Sequence, residues 1–309
     1  MAKRKKIGLA LGGGGAKGFA HIGVLKVLEE NNIPIDMVSG TSIGSMIGAF
    51  HCAGYSANHM IMENKDLKWK KLLDFCLSKR CFIKGNKIEE FLRKKLENKN
   101  FEDLNKPLFI TAVDIDKKEE IIFNKGDLVK AIRASISIPG IFPPVEISNR
   151  ILIDGGWLDP LPIEILKKEG AEIIIAVNLS KFSEKKSIKE KAVATQNKKI
   201  PNMANALIKS FQVIESRVAK LTLEGANADI IISPEVGNIK VQDFDKAEQL
   251  IKLGEEAAQK QIKKIKQLIK PEPLLKRVLT GIKEIVPPVG FQPTAGIDLS
   301  KLNKEEDKE

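Results

Sequence analysis

Ser42 lies in Gly40-Thr41-Ser42-Ile43-Gly44, between a short apolar run, Met37-Val38-Ser39, and the helical-looking stretch Ser45 to Phe50. A serine framed by glycines at a strand-to-helix turn has its hydroxyl pushed out of the backbone at a helix N-terminus, because only glycine leaves room for so sharp a bend. Such a hydroxyl is a candidate nucleophile, although the same five residues also fit a plain capped turn. It reacts at neutral pH only if a base takes its proton. All three histidines, His21, His51 and His59, precede position 60, so a triad in the order serine, acid, histidine has no histidine after Asp154. A carboxylate acting directly on Ser42 is the simplest remaining solution. Asp154, in Ile151-Leu152-Ile153-Asp154-Gly155-Gly156, is the best framed: it ends an apolar run, and two glycines let the backbone pack close behind it. Asp-Gly-Gly is also an ordinary tight turn, and Asp114 and Asp159 are competing acids. Burial beside apolar walls would raise an aspartate pKa from about 4 and make it a stronger base.

A second stretch supplies donors. Gly12-Gly13-Gly14-Gly15-Ala16-Lys17-Gly18 joins the apolar Lys6 to Leu11 to a helical pattern over Phe19 to Leu28. A glycine loop at a helix start aims free N–H groups and the positive end of the helix dipole at a phosphate or a developing oxyanion. Gly13, Gly15 and Gly18 also fit G-x-G-x-x-G, with Asp36 near the position of a ribose-binding acid, so a nucleotide-binding oxidoreductase is one rival reading, and a non-catalytic membrane-surface adaptor, resting on the net positive charge and an amphipathic segment at 274–286, is another. A P-loop fails on spacing, because Gly18 rather than Ser or Thr follows Lys17. The oxyanion reading explains both turns together, since successive βα turns of a parallel sheet open on the same edge.

These turns need a sheet and helices to hold them. Strands are expected at 6–11, 107–114, 119–123, 151–154, 173–177 and 229–232, the run Ile173 to Val177 being apolar enough for a parallel sheet covered on both faces. Helices are expected at 58–66, 67–77, 87–96, 161–168, 203–223 and 244–269, with one after Asp127 as N-cap. Trp69, Leu72, Leu73, Phe75 and Leu77 read as core, or else as an acyl pocket or flap within residues 54–104. The segment 134–145, apolar yet broken by three prolines and a glycine, is expected as a packed loop forming an oily wall. Residues 181–199 read as an exposed linker, and 274–286 as an amphipathic helix before a charged run at 301–309.

At 309 residues with 43% hydrophobic side chains the chain can bury a core. A net charge of +11 favours anionic surfaces, but aromatics are only 5% and the lysines are scattered, which argues against nucleic acid and for a membrane surface. No apolar run approaches a bilayer span or a signal-peptide core, and Cys52, Cys76 and Cys81 show no paired spacing. The expected location is therefore cytoplasmic, with peripheral association at the inner membrane face.

Taken together, Gly13-Gly14-Gly15-Ala16-Lys17-Gly18, Gly40-Thr41-Ser42-Ile43-Gly44 and Asp154-Gly155-Gly156, with Ala134 to Gly140 between them, resemble the patatin-like phospholipase family, and within it bacterial members related to neuropathy target esterase. The resemblance implies an α/β three-layer sandwich with a mostly parallel central sheet flanked by helices, occupying residues 1–270, with 271–309 as an extension. It implies Ser42 as nucleophile, Asp154 as base of a Ser-Asp dyad, and the amides of Gly13, Gly14 and Gly15 as oxyanion hole, with Lys17 standing where the family has Arg or Lys. It further implies hydrolysis of phospholipid or lysophospholipid acyl esters, with no metal and no cofactor.

Overall fold

The computed structural model describes residues 4–67, 69–78, 81–180, 203–225, 227–237 and 239–270. The expected linker at 181–199, the helix at 274–286 and the charged run at 301–309 lie outside the described residues. The sheet is built around β1 (Ile7–Leu11), all five of whose residues are buried. α1 (Phe19–Glu30), β2 (Met37–Thr41) and α2 (Ile43–Cys52) follow, then α3 (Ala57–Asp66), α4 (Trp69–Leu72), the small hairpin β3 (Phe75–Ser78) and β4 (Cys81–Ile83), and α5 (Asn86–Lys95). The chain continues through β5 (Leu108–Asp114), β6 (Glu119–Phe123), α6 (Leu128–Ser135), β7 (Val145–Ile147), β8 (Arg150–Asp154), α7 (Glu164–Lys168), β9 (Ile173–Val177), α8 (Met203–Gly225), β10 (Ile230–Ile232) and α9 (Ala247–Leu268).

β10, β9, β1, β2 and β5 pair in parallel in that order, while β6 and β8 run antiparallel to β5, and β7 antiparallel to β8. Both faces are apolar because alternate residues point to opposite sides. Leu9, Leu11, Ile173, Ile175 and Val177 join one core, and Ala10, Met37, Phe109, Ile174 and Ala176 join another beneath α7. Helices on each face give the three layers.

The register of β5 fixes the geometry that matters. Ile110 and Thr111 pair with β2 (Gly40, Thr41) and with β6 (Phe123, Ile122), so β2 and β6 occupy opposite edges of β5. Ala112, Val113 and Asp114 pair with β6 and with β8, so β8 lies on the edge that β2 has just left. The two strands therefore share one edge, run toward each other and stop at adjacent rungs: Thr41 opposite Thr111 and Asp154 opposite Ala112.

Two helical expectations are corrected. Of 67–77 only Trp69–Leu72 is helical, and Phe75–Ser78 is a strand. The break falls at Asp74, whose carboxylate accepts from Gly85 N at 2.8 Å and Asn86 N at 3.0 Å, so it serves the start of α5 instead of continuing its own helix. Phe75, expected in the core, is 73% exposed. The helix at 161–168 is confined to Glu164–Lys168 because the preceding segment hands its carbonyls elsewhere: Pro160 O to Gly13 N and Pro162 O to the Ser39 hydroxyl. Among the described residues no helix is long and apolar enough to cross a membrane.

α9 lies against α1 at a glycine crossing. A Cβ on Gly23 would come 1.9 Å from Ile251 O, and one on Gly254 would come 2.0 Å from Ala20 O, so backbone meets backbone with no side chain between. Gly254→Ala is expected to destabilise the fold by about 1–3 kcal/mol through forced separation of the helices. Gly225→Ala, with nothing within 4 Å, should change stability little or raise it. Chemical denaturation of both variants checks this, and equal effects at the two positions would contradict it.

Candidate active site

Ser42 ends β2 and caps α2 with φ 53° and ψ −124°, a conformation costly for a residue with a side chain, on the order of 1–3 kcal/mol. The bend is possible because its neighbours are glycines: a Cβ on Gly40 would sit 2.5 Å from Gly44 O, and one on Gly44 would sit 2.1 Å from Leu11 O. The Ser42 N–H donates to Ser135 Oγ at 2.8 Å and its carbonyl accepts from Ser45 Oγ at 2.6 Å, which leaves the hydroxyl free of backbone duties.

Asp154 is fully buried at the end of β8. Its Oδ1 accepts from Gly156 N at 2.8 Å and its own N–H donates to Ser137 O at 3.0 Å. Oδ2 has no partner of good hydrogen-bond geometry, yet the Ser42 hydroxyl is near enough to stabilise the ionised carboxylate. Burial dominates, and it raises the Asp154 pKa from 3.8 to about 7, against the lowering effects of Ser42 and the Gly156 N–H. Gly155 is required here, since a Cβ would lie 2.3 Å from Thr111 Oγ1. Thr111 Oγ1 in turn meets Thr41 Oγ1 at 2.8 Å, and Thr41 Oγ1 donates to Asp159 O at 2.7 Å, which ties both strand ends to β5. Ser42 and Asp154 are thus brought together.

The competing acids are occupied elsewhere. Asp114 accepts from the Asp116 and Lys117 amides and pairs with Arg150 at 3.2 Å, which holds its pKa down. Asp159 is pushed up to about 7 by burial and by Glu120 beside it. Asp36 stands before β2, at the sheet edge opposite the glycine loop, bonded to Arg4 at 2.6 Å and to Ile7 N at 2.7 Å. The ribose-acid role of the oxidoreductase reading is corrected accordingly, since that role needs an acid at the C-terminal end of a strand.

The glycine loop runs along the same edge as Ser42. Gly14 (φ 152°) and Gly15 (φ 57°) take backbone conformations that favour glycine, and among the described residues their N–H groups have no partner. Gly13 departs from the expected set of three donors: its N–H is spent on Pro160 O at 3.0 Å, because the chain after β8 turns that carbonyl toward the loop. Ala16 N donates to Val241 O at 2.8 Å, and a Cβ on Gly18 would strike Ile43, so the loop is clamped from two sides. His21 is fully buried with Nε2 2.8 Å from Gly12 O, and burial lowers its pKa to about 4. It is a neutral donor that holds the loop, not a base for Ser42.

A small pocket opens over Ser42, walled by Gly14, Gly15, Ile138, Ile141 and Phe211. Ile138 and Ile141 come from the proline-rich segment, which is the oily wall expected of it. α8 closes the other side, with the Phe211 and Trp157 ring centres 5.1 Å apart and tilted by 48°. It also carries Glu215, 4% exposed, which the motifs did not single out. The signal was present as a carboxylate at a helical spacing from Phe211 and Ile208 on an apolar face. Lys17 stands half-buried near it, its pKa lowered by desolvation, with the Glu215 charge opposing. Among the described residues no three His, Cys, Asp or Glu groups lie close enough to hold a metal.

Residues 9–167 match the family described as patatin-like phospholipase. Lysophospholipase NTE1 of Candida glabrata is 29% identical over 267 residues, covering 80% of this chain and 15% of the relative. Patatin-like phospholipase domain-containing protein 6 of Mus musculus is 31% identical over 272 residues, covering 80% of this chain and 20% of that one. The chain thus spans no more than a fifth of the length of these relatives. Among solved structures, VipD from Legionella pneumophila superposes with a TM-score of 0.59 at 15% identity, covering 85% of this chain and 67% of that one, a likeness of fold.

A carboxyl whose folded pKa is raised binds more protons folded than unfolded between its two pKa values, so its contribution to stability falls as pH rises through that window. For Asp154 the window runs from 3.8 to about 7. Melting temperatures are expected to fall more steeply across it for the native chain than for Asp154→Asn, with the gap widest above the upper value. Parallel melting curves for the two would contradict the burial of this charge.

Proposed function

The chain belongs to the patatin-like phospholipase family, and from that membership we propose that it is a serine-dependent lipid acyl hydrolase acting on phospholipid or lysophospholipid esters. The observation that carries the reading is the meeting of β2 and β8 on one edge of β5, which sets the Ser42 hydroxyl against a buried, unpartnered carboxylate oxygen of Asp154. In the proposed reaction Asp154 takes the Ser42 proton as Oγ attacks the ester carbonyl carbon, and the Gly14 and Gly15 N–H groups receive the oxyanion. Collapse breaks the bond to the leaving alcohol, which carries away the proton held by Asp154. Water, deprotonated by the same carboxylate, then releases the fatty acid and restores Ser42. The relatives named lysophospholipase support the substrate class.

Residues 1–270 form the proposed hydrolase unit and 271–309 an extension to it. The proposed setting is cytoplasmic, at the surface of a membrane. Phe75 and Phe82 on the β3–β4 hairpin are 73% and 52% exposed, flanked by the exposed Lys71, Lys84 and Lys87. Aromatic tips ringed by cations suit an anionic lipid surface. Ile83 N donates to Ile141 O at 2.9 Å, so this hairpin sits beside the wall of the Ser42 pocket.

A panel of phospholipids and lysophospholipids assayed for fatty-acid release is expected to show turnover that Ser42→Ala and Asp154→Asn each reduce at least about 10³-fold. A fluorophosphonate should label the native protein and not Ser42→Ala. Labelling of Ser42→Ala at the native rate would overturn the assignment. Phe75→Ser with Phe82→Ser should lower sedimentation with vesicles containing phosphatidylglycerol while leaving hydrolysis of a soluble ester within about twofold. Unchanged sedimentation would remove the hairpin from the proposal.

A further inference from the structure

The oxyanion loop offers two free amides, and a third polar group faces the same space. Glu215 lies on the inward face of α8 with Oε1 lacking any hydrogen-bond partner. The point where a Gly13 Cβ would lie is 2.4 Å from that Oε1 and 3.6 Å from Ser42 Cβ, and the side chain lines one pocket with Ser42, Gly14 and Gly15. A buried carboxyl oxygen with no partner is costly to retain, and this one lines the same pocket as the serine.

We propose that Glu215 acts as a neutral acid and is a third catalytic group of the site, donating a hydrogen bond from its carboxyl O–H to the oxyanion formed when Ser42 attacks an ester. The inference rests on the hydrolase reading above. Glu215 keeps its proton throughout, so no bond of its own is made or broken, and the proton of Ser42 still travels to Asp154 and on to the leaving alcohol. The role follows from the donor count: Gly13 is committed to Pro160, and a carboxylic acid held neutral in an apolar site can supply the missing donor. The charged groups acting on it are Asp154 from the end of β8, which disfavours ionisation, and Lys17 from the glycine loop, which favours it. Burial is the largest effect and Asp154 adds to it, and together they outweigh Lys17, so the pKa rises from 4.5 to about 8. The site then works while Asp154 is ionised and Glu215 is not. Activity should climb as pH rises through about 7 and fall as it passes about 8.

The test uses the full chain and p-nitrophenyl butyrate as the probe ester. Glu215→Ala is expected to lower kcat about 10²-fold with KM changed less than about threefold. Glu215→Gln, which keeps a neutral donor, should stay within about tenfold of native kcat and lose the alkaline fall that the native protein shows. Glu215→Ala at native kcat, or Glu215→Gln with the native alkaline fall, would overturn the inference. So would a melting temperature that drops in both variants together with kcat, the mark of a structural prop. Turnover that survives Ser42→Ala would defeat the hydrolase reading itself. Turnover lost in Ser42→Ala but native in both Glu215 variants would defeat only the role given to Glu215.

Discussion

Two strands that run in opposite directions share one edge of β5, and their ends meet at adjacent rungs. Sheet hydrogen bonding sets a residue's place along its neighbour to one rung, so Thr41 opposite Thr111 and Asp154 opposite Ala112 hold the serine and the carboxylate by rigid backbone. A slip of one residue would turn Asp154 to the other face of the sheet. The surrounding requirements follow from this junction. Gly40 and Gly44 are small because the chain must leave β2 sharply, Gly155 because β8 ends against Thr111, and the threonine pair ties the end of β2 to β5.

The junction also explains the electrostatics. A site walled by Ile138, Ile141 and Phe211 holds its carboxyls away from water, and desolvation acts in the same direction on each. Asp154 and Glu215 are both raised, while the buried His21 is lowered and stays uncharged beside the Gly12 carbonyl. The first turn after the glycine loop, where the helix dipole already disfavours a cation, therefore holds a neutral imidazole. The strained backbone of Ser42 belongs with these costs: local stability is surrendered where reactivity is wanted, and the apolar layers on both faces of the sheet offset it.

Much of this was legible in the residues themselves. The strands at 173–177 and 119–123 were readable because a buried strand writes an unbroken or alternating apolar run. Ser42 and Asp154 were readable because glycine is the only residue that fits such turns. Other features depended on partners distant in the chain. Asp74 leaves its helix to serve amides eleven and twelve residues later, and propensity carries no trace of that. The Gly13 amide is taken by a carbonyl from position 160, so a count of glycines overstates the free donors. Glu215 belonged to no motif, and its place became visible only once α8 lay across the pocket.

The contact from Ala16 N to Val241 O reaches far along the chain. The family match ends at residue 167, yet the glycine loop leans on backbone more than seventy residues beyond it, and α1 leans on α9 farther still. The smallest autonomous folding unit is accordingly larger than the matched segment. A fragment cut at residue 167 would keep every motif and lose the buttress that gives them their shape.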